Sequence, residues 1–457
     1  MASTGSRVAL VVATSALGAL LASGCSAASV ANSTDLPLAL SAQPHQTSNT
    51  VRRVGGVQHI VIFTMENRSF DEMFGTYPGV NGIPNPAPCN PDPNSGQIVC
   101  LYHSHTLVEY GGPHGDLAER VDLDGGKLDG FITAAEMVRQ GQPNHDPYPD
   151  EVMGYHTCND LPVYCRFARR GVLADNFYSA TTSFSTPAHL FMVSNWSAKC
   201  LIPRDPLSCY SFNDPNVKTN PPPDFAWTDI TWLLHKAGVS WGYYVYTDKF
   251  VSMLPGDTAD GEAPIPDSVY NEVSDWNPLP AFDDVKEDGE FANLQPGASF
   301  IAALETGTLP AISWVIPPFK SSDHPTASLA DGQMWLTNEV SAVETSVYAP
   351  STLVIIWWDD WGGFYDHVVP FTVDSLGYGF RTPLILLGPM VKAGTIDHQL
   401  LSTDAFNKLI EDLFLGSRRI DPVTDGRPDP RPDVREADPY LGDLRKDLKP
   451  FGPVPPH

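Results

Sequence analysis

Short runs of nearly continuous apolar residues punctuate the chain, and between them apolar positions recur at helical spacing. The runs are Val57 to Met65 (VQHIVIFTM), Val239 to Tyr246 (VSWGYYVY), Ala311 to Ile316 (AISWVI), Leu353 to Trp358 (LVIIWW) and Pro383 to Leu387 (PLILL). Such runs predict strands buried on both faces, not the one-sided alternation of a sheet open to water. Leu161 to Gly171, Asp331 to Val347 and Thr403 to Leu415 carry helical patterning, the first ending at a glycine stop. Residues 254–293, rich in Pro and Asp, read as an excursion over the surface. Strands alternating with helices predict an α/β fold around a largely parallel sheet.

Polar residues just past the strand ends carry the chemistry. Glu66-Asn67-Arg68-Ser69 comes after the first run, Asp323-His324 lies a short loop beyond AISWVI, and Asp359-Asp360-Trp361-Gly362-Gly363 continues directly from LVIIWW. If these strands run parallel, their ends share the edge where ligands bind in open α/β sheets. Singly, a polar turn or an Asp-Asp pair is ordinarily solvated surface. Gathered on one edge, the carboxylates repel one another unless a cation sits among them. Carboxylate and amide oxygens suit a divalent ion such as Mg, Ca or Mn, with Zn an alternative.

Six hydroxyl side chains crowd the eight residues Ser179 to Thr186, just before Pro187 and the apolar AHLFMVSNWSA. A loop opening into a helix fits this order, and a hydroxyl there faces free backbone N–H groups that favour an anion. A nearby metal also activates such a hydroxyl as a nucleophile. Among thirteen histidines, His114, His324 and His367 stand in Gly-, Pro- or Asp-flanked turns beside these segments. Each is suited to protonating a leaving oxygen. His103-Ser-His105 reads as a surface pair that is also able to bind metal.

Composition narrows the partners. The 457 residues carry a formal charge of -26 and no Lys/Arg-rich run, which argues against nucleic acid and against docking on anionic lipid. Arg7, the apolar run Val8 to Ala22 and the small residues after it read as an export signal over 1–25. Its end, Leu-Ala-Ser-Gly-Cys25, resembles a lipobox with Ala22 where Leu is usual, so a lipid anchor at Cys25 competes with ordinary cleavage. Residues 26–55 suit a flexible spacer. The other cysteines fall into near neighbours, and short loops in an exported protein predict disulfides Cys89–Cys100, Cys158–Cys165 and Cys200–Cys209. No C-x-x-C and no H-E-x-x-H occurs. Residues 417–457, rich in Pro, Asp and Arg, read as an ordered wrap or a tail, and the sequence sets no oligomeric state.

The string Glu66 to Ile83 (ENRSFDEMFGTYPGVNGI) resembles the signature of a bacterial phosphoesterase family that contains phospholipases C and a branch of acid phosphatases. The likeness continues through His114, Gly125 to Phe131, Met153-Gly-Tyr, Asp160-Leu-Pro, Asp175-Asn-Phe177, Ser322 to Pro325 and Asp359 to His367. It implies an alkaline-phosphatase-like, three-layer α/β/α sandwich and a catalytic domain over 56–416. It also implies a divalent metal on Glu66, Asn67, Asp359, Asp360 and Ser185, with Ser185, two positions before Pro187, as nucleophile. His114 and His324 then belong to the phosphate pocket, with Asp323, Lys127 and His367 as further substrate contacts. The chain departs from the family pattern around the nucleophile: Ser183-Phe184 stand for Gly-Pro, and Ala188-His189 stand for Asn-Arg.

Ser in place of Thr at 185, and an end soon after the core, tilt the expectation toward a broad phosphatase or phosphodiesterase. The resemblance thus implies an exported, metal-dependent phosphoric ester hydrolase. The alternatives are a phospholipase C acting on phosphatidylcholine-like lipids and a non-catalytic surface binding protein on the same fold.

Overall fold

In the computed structural model, eight strands form one central sheet: β1 (His59–Met65), β2 (Val172–Ala174), β3 (Trp241–Val245), β4 (Leu294–Pro296), β5 (Ile312–Ile316), β6 (Thr352–Trp358), β7 (Leu384–Leu387) and β8 (Thr395–Asp397). Their order is β4-β3-β5-β1-β6-β7-β2-β8. Only β7 runs antiparallel to its neighbours, so the α/β class and the largely parallel sheet expected from the sequence are observed. The structure describes residues 56–139, 148–182, 184–200, 209–211, 225, 227–247, 270–271, 273–374, 376–421, 425 and 434–450, without the side chains of 138–139, 198–200 and 209–211. The export signal, Cys25 and the spacer to residue 55 lie outside the described residues.

Alternation along β1 and β6 explains why both read as continuous apolar runs. Ile60 and Ile62 pack with Leu353, Ile355 and Trp357 on one face, and Val61, Phe63 and Met65 with Val354, Ile356 and Trp358 on the other. Helices α3 (Ser185–Ser194), α4 (Ile230–Ala237) and α7 (Asp404–Phe414) cover the first face through Leu190, Leu233 and Phe406. Helices α1 (Phe70–Phe74), α2 (Pro162–Arg170), α5 (Ala298–Thr306) and α6 (Leu329–Thr345) cover the second through Phe70, Phe167, Phe300 and Leu336. The result is three layers, with no strand of the site left facing water.

One segment differs from expectation, and the C-terminal one takes, over its described part, the ordered form of the two expected. Residues 254–293 are not a surface excursion over their described part, where Trp276, Leu279, Phe282 and Val285 are buried in the first face. Their apolar residues follow neither period, so pattern alone does not reveal that they are core. Residues 434–450 of the C-terminal segment pack in, with Leu441, Leu444 and Leu448 joining the same core. Cys89–Cys100 and Cys158–Cys165 are disulfide-bonded. Backbone pairing sets Cys200 opposite Cys209, whose side chains lie outside the described residues. Among the described residues no helix is long and apolar enough to cross a membrane.

Candidate active site

The register of the central strands assembles the acidic groups. Met65 of β1 pairs with Trp358 of β6, so Glu66 and Asp359 leave adjacent parallel strands at the same level. The backbone N–H of Asp359 donates to Met65 O at 3.1 Å, and that of Glu66 to Ser322 O at 2.8 Å, joining the segment beyond β5 to the same edge. Asn67 then turns at φ 46°, a left-handed conformation that Asn tolerates better than most residues. Gly362 is required beside it, since a Cβ there would lie 2.3 Å from Asn67 O.

Ser185 is the first residue of α3, whose N-cap Phe184 supplies no side-chain bond. The helix thus begins at the hydroxyl itself, with Pro187 inside its first turn. Ser185 Oγ donates to Glu66 Oε2 at 2.9 Å and lies 3.4 Å from Asp360 Oδ2. Ser185, Glu66, Asn67, Asp359 and Asp360 are all fully buried. Asp359 Oδ1 accepts from the Asn67 backbone at 3.0 Å, and Asp360 Oδ1 from Gly362 N at 2.8 Å.

The donor set fits a cation. Asn67 Nδ2 has His114 Nε2 at 2.8 Å, both Asp360 oxygens at 3.1 Å and Ser185 Oγ at 3.4 Å, although an amide nitrogen has only two hydrogens to give. Meanwhile Asn67 Oδ1 and Asp359 Oδ2 are buried acceptors without a hydrogen-bond partner. Unsatisfied oxygens beside three buried carboxylates are what a divalent ion would satisfy.

His189, where the sequence departs from the family pattern, belongs to this group. It lies four residues after Ser185, hence on the same helix face. Its Nε2 is 3.0 Å from Glu66 Oε1, and Glu66, His189 and Asp359 offer ligand atoms all within 4.8 Å of one another. Burial pushes the imidazole down to about 4, against the charge of Asp359 and the carbonyl of Trp276, so it is neutral at pH 7. His189 is not among the residues that the sequence singles out, and its i,i+4 spacing from Ser185 is the signal that could have found it.

Of the predicted histidines, two border the cluster. His114 Nδ1 donates to Gly112 O at 2.9 Å, which leaves Nε2 to accept from Asn67. His324 is buried with its ring 6.4 Å from that of His114 and 5.2 Å from Phe319, and its Nδ1 bonds Pro325 O. Three other candidates are held elsewhere. Lys127 is exposed and pairs with Asp124. His367 bonds Asp71 Oδ2 at 2.6 Å and Asn81 at 3.3 Å, within a buried group that Arg381 anchors. Asp323 places its carboxylate on Tyr164 (2.6 Å) and Trp358 (3.1 Å), and burial raises its pKa to about 7. Gly238-Val-Ser240-Trp-Gly242 has the spacing of a hydrolase nucleophile elbow, but Ser240 lies in a helix-to-strand turn and its Oγ accepts from Ala311 N at 3.0 Å.

Arg68 supports the turn instead of reaching toward the serine. Its guanidinium binds Glu72 at 3.0 Å, Glu109 at 2.8 Å and the Asp323 carbonyl at 2.9 Å, and His156 completes the buried network at 3.2 Å from Glu109. Burial alone would lower the His156 pKa, but hydrogen bonds to Glu109 and Glu72 outweigh it and push it up to about 10. The stability gained there is fully present below pH 6.5 and is lost as pH rises through about 10. Urea unfolding between those limits is therefore expected to show falling stability, and His156→Gln to flatten the fall. An equal slope in parent and variant would remove His156 from the account.

Comparison with known proteins bears on this arrangement. The family model described as "Phosphoesterase family" matches residues 57–415. Phospholipase C A of Mycobacterium tuberculosis is 25% identical over 392 residues, covering 75% of this chain and 71% of that protein. Hemolytic phospholipase C of Pseudomonas aeruginosa is 25% identical over 411 residues, covering 82% of this chain and 55% of that protein. Among solved structures, a protein in the alkaline phosphatase superfamily from Vibrio parahaemolyticus aligns with a TM-score of 0.32 and 12% identity, covering 72% of this chain and 69% of that one.

Proposed function

The chain belongs to the Phosphoesterase family and is a hydrolase acting on phosphoric esters, and we propose that it does so through Ser185 as nucleophile with a divalent ion held by Glu66, Asn67, Asp359, Asp360 and His189. The observation that carries this reading is the position of Ser185 Oγ, at a helix N-terminus and 2.9 Å from Glu66 Oε2 among buried carboxylates. A divalent ion there, when bound, offsets phosphoryl charge and lowers the pKa of a hydroxyl. Three carboxylates and an amide oxygen suit Mg, Ca or Mn, and the imidazole adds a donor that suits Mn or Zn.

The chain's own residues supply the rest. The Ser185 proton leaves along the bond to Glu66, and Oγ attacks phosphorus, giving a phosphoseryl ester as the alcohol departs. Free N–H groups in the first turn of α3 face the phosphoryl oxygens. His114 and His324 border the cluster with Nδ1 on the carbonyls of Gly112 and Pro325, so it is Nε2, once protonated, that binds those oxygens or gives its proton to the leaving alcohol. Water then attacks phosphorus from the side the alcohol left, regenerating Ser185. Export fits the signal-like N-terminus and the two disulfides.

A second reading, phospholipase C, draws on the names of the relatives. Parallel assays with p-nitrophenyl phosphate, bis-p-nitrophenyl phosphate and phosphatidylcholine vesicles separate the two. Turnover of the soluble esters is the expected result. Diacylglycerol release with negligible turnover of either soluble ester would replace the first reading by the second.

A further inference from the structure

A second cluster of metal-ligating side chains shares no residue with the Ser185 site. His103 Nε2 lies 2.7 Å from Asp160 Oδ2, and His105 Nδ1 lies 3.3 Å from Asp160 Oδ1. The two rings sit 4.1 Å apart at 56°, and both imidazoles converge on one carboxylate. Ligand atoms of all three residues fall within 4.8 Å of one another. From this convergence we infer that His103, His105 and Asp160 form a binding site for a borderline transition-metal ion such as Zn2+, distinct from the catalytic group.

Donor chemistry is the first support: two imidazole nitrogens and one carboxylate oxygen favour Zn2+, Cu2+ or Ni2+ over Mg2+ and Ca2+. Bond lengths are the second. Metal–nitrogen and metal–oxygen distances of about 2.0 to 2.2 Å at tetrahedral angles place ligand atoms roughly 3.4 Å apart. The His105–Asp160 separation already meets that, and the 2.7 Å between His103 and Asp160 has to open by about 0.7 Å, which His103, about one-third exposed, has room to do. Rigidity is the third. His103 pairs in register with Tyr155 and stacks on its ring at 5.8 Å. Asp160 Oδ2 accepts from Thr157 N at 2.9 Å and Thr157 Oγ1 at 2.7 Å, in a turn that the Cys158–Cys165 disulfide ties to α2.

Asp160 Oδ1 keeps a lone pair for an ion, because its described contact is the long bond to His105. The His105 side chain is 77% exposed, so the site opens to water, which completes the coordination. Binding would displace the protons now shared between the histidines and Asp160. It would join the 102–105 segment to the 157–160 turn across more than fifty residues of chain, a staple beside the disulfide.

The test uses tag-free, full-length protein freed of metal with a chelator and then dialysed. Zn2+ uptake measured by mass spectrometry is expected to fall by one equivalent in His103→Ala/His105→Ala relative to the parent, with circular dichroism and phosphoester turnover unchanged. Zn2+ should raise the melting temperature of the parent more than that of the variant, and Mg2+ or Ca2+ should not distinguish them. In the parent, Cu2+ should give an electron paramagnetic resonance signal with nitrogen hyperfine structure from this site that the variant lacks. Equal Zn2+ uptake in the two folded proteins, or identical Cu2+ spectra, would overturn the proposal. Either outcome is independent of how Ser185 reacts.

Discussion

Replacing Ser185 by Ala is expected to lower phosphoester turnover by about 10⁴-fold or more, the scale seen when a nucleophile that works with its partners as a unit is removed. The reason is geometric. Ser185 Oγ is the hydroxyl that meets Glu66 Oε2 at 2.9 Å and Asp360 Oδ2 at 3.4 Å, at the point where α3 begins. Alanine keeps the helix start, since the N-cap Phe184 makes no side-chain bond that the change could break. The melting temperature should therefore move little while turnover collapses. Thr186 is the control, because its hydroxyl is engaged with Asp275 at 3.0 Å, and Thr186→Ala should stay within about tenfold of the parent. A Ser185→Ala protein that retains turnover to the same degree would mean that another group attacks phosphorus.

The central strands and the acidic part of this site were legible in the sequence for one physical reason. A strand covered on both faces has little choice but continuous apolar residues, so β1 and β6 announce themselves, and the polar residues that end them must stand on the ligand edge. The edge strands β4 and β8 do not show, because three residues such as Leu294-Gln-Pro296 or Thr395-Ile-Asp397 carry no period and owe their pairing to neighbours. Side-chain direction is the other blind spot. Asp323 sits at φ 74°, and that turn points its carboxylate at Tyr164 and Trp358, which linear spacing does not encode. His367 and Lys127 likewise pair with charged residues, Asp71 and Asp124. His189 escapes a reading by resemblance because it replaces an expected residue, although its helical spacing from Ser185 puts it on the site.

Asp359→Asn is expected to cost about 10³-fold or more in turnover and to strip the bound ion, because it removes charge without removing shape. Asp359 Oδ1 accepts from the Asn67 backbone, and an asparagine carbonyl can keep that bond. Its Oδ2 is the buried oxygen without a partner, and an NH2 placed there would oppose a cation instead of holding it. Metal content measured on the purified variant should fall below that of the parent, and turnover should not return when divalent ions are added. Treating the parent with a chelator gives the complementary experiment. With the ion gone, Glu66, Asp359 and Asp360 face one another in a buried site, so the melting temperature should drop by several degrees as well as activity vanishing. Adding back Mg2+, Ca2+, Mn2+ or Zn2+ singly would then identify the ion by which one restores both. Full turnover in metal-free protein would remove the ion from the reaction and leave the acidic cluster needing another explanation.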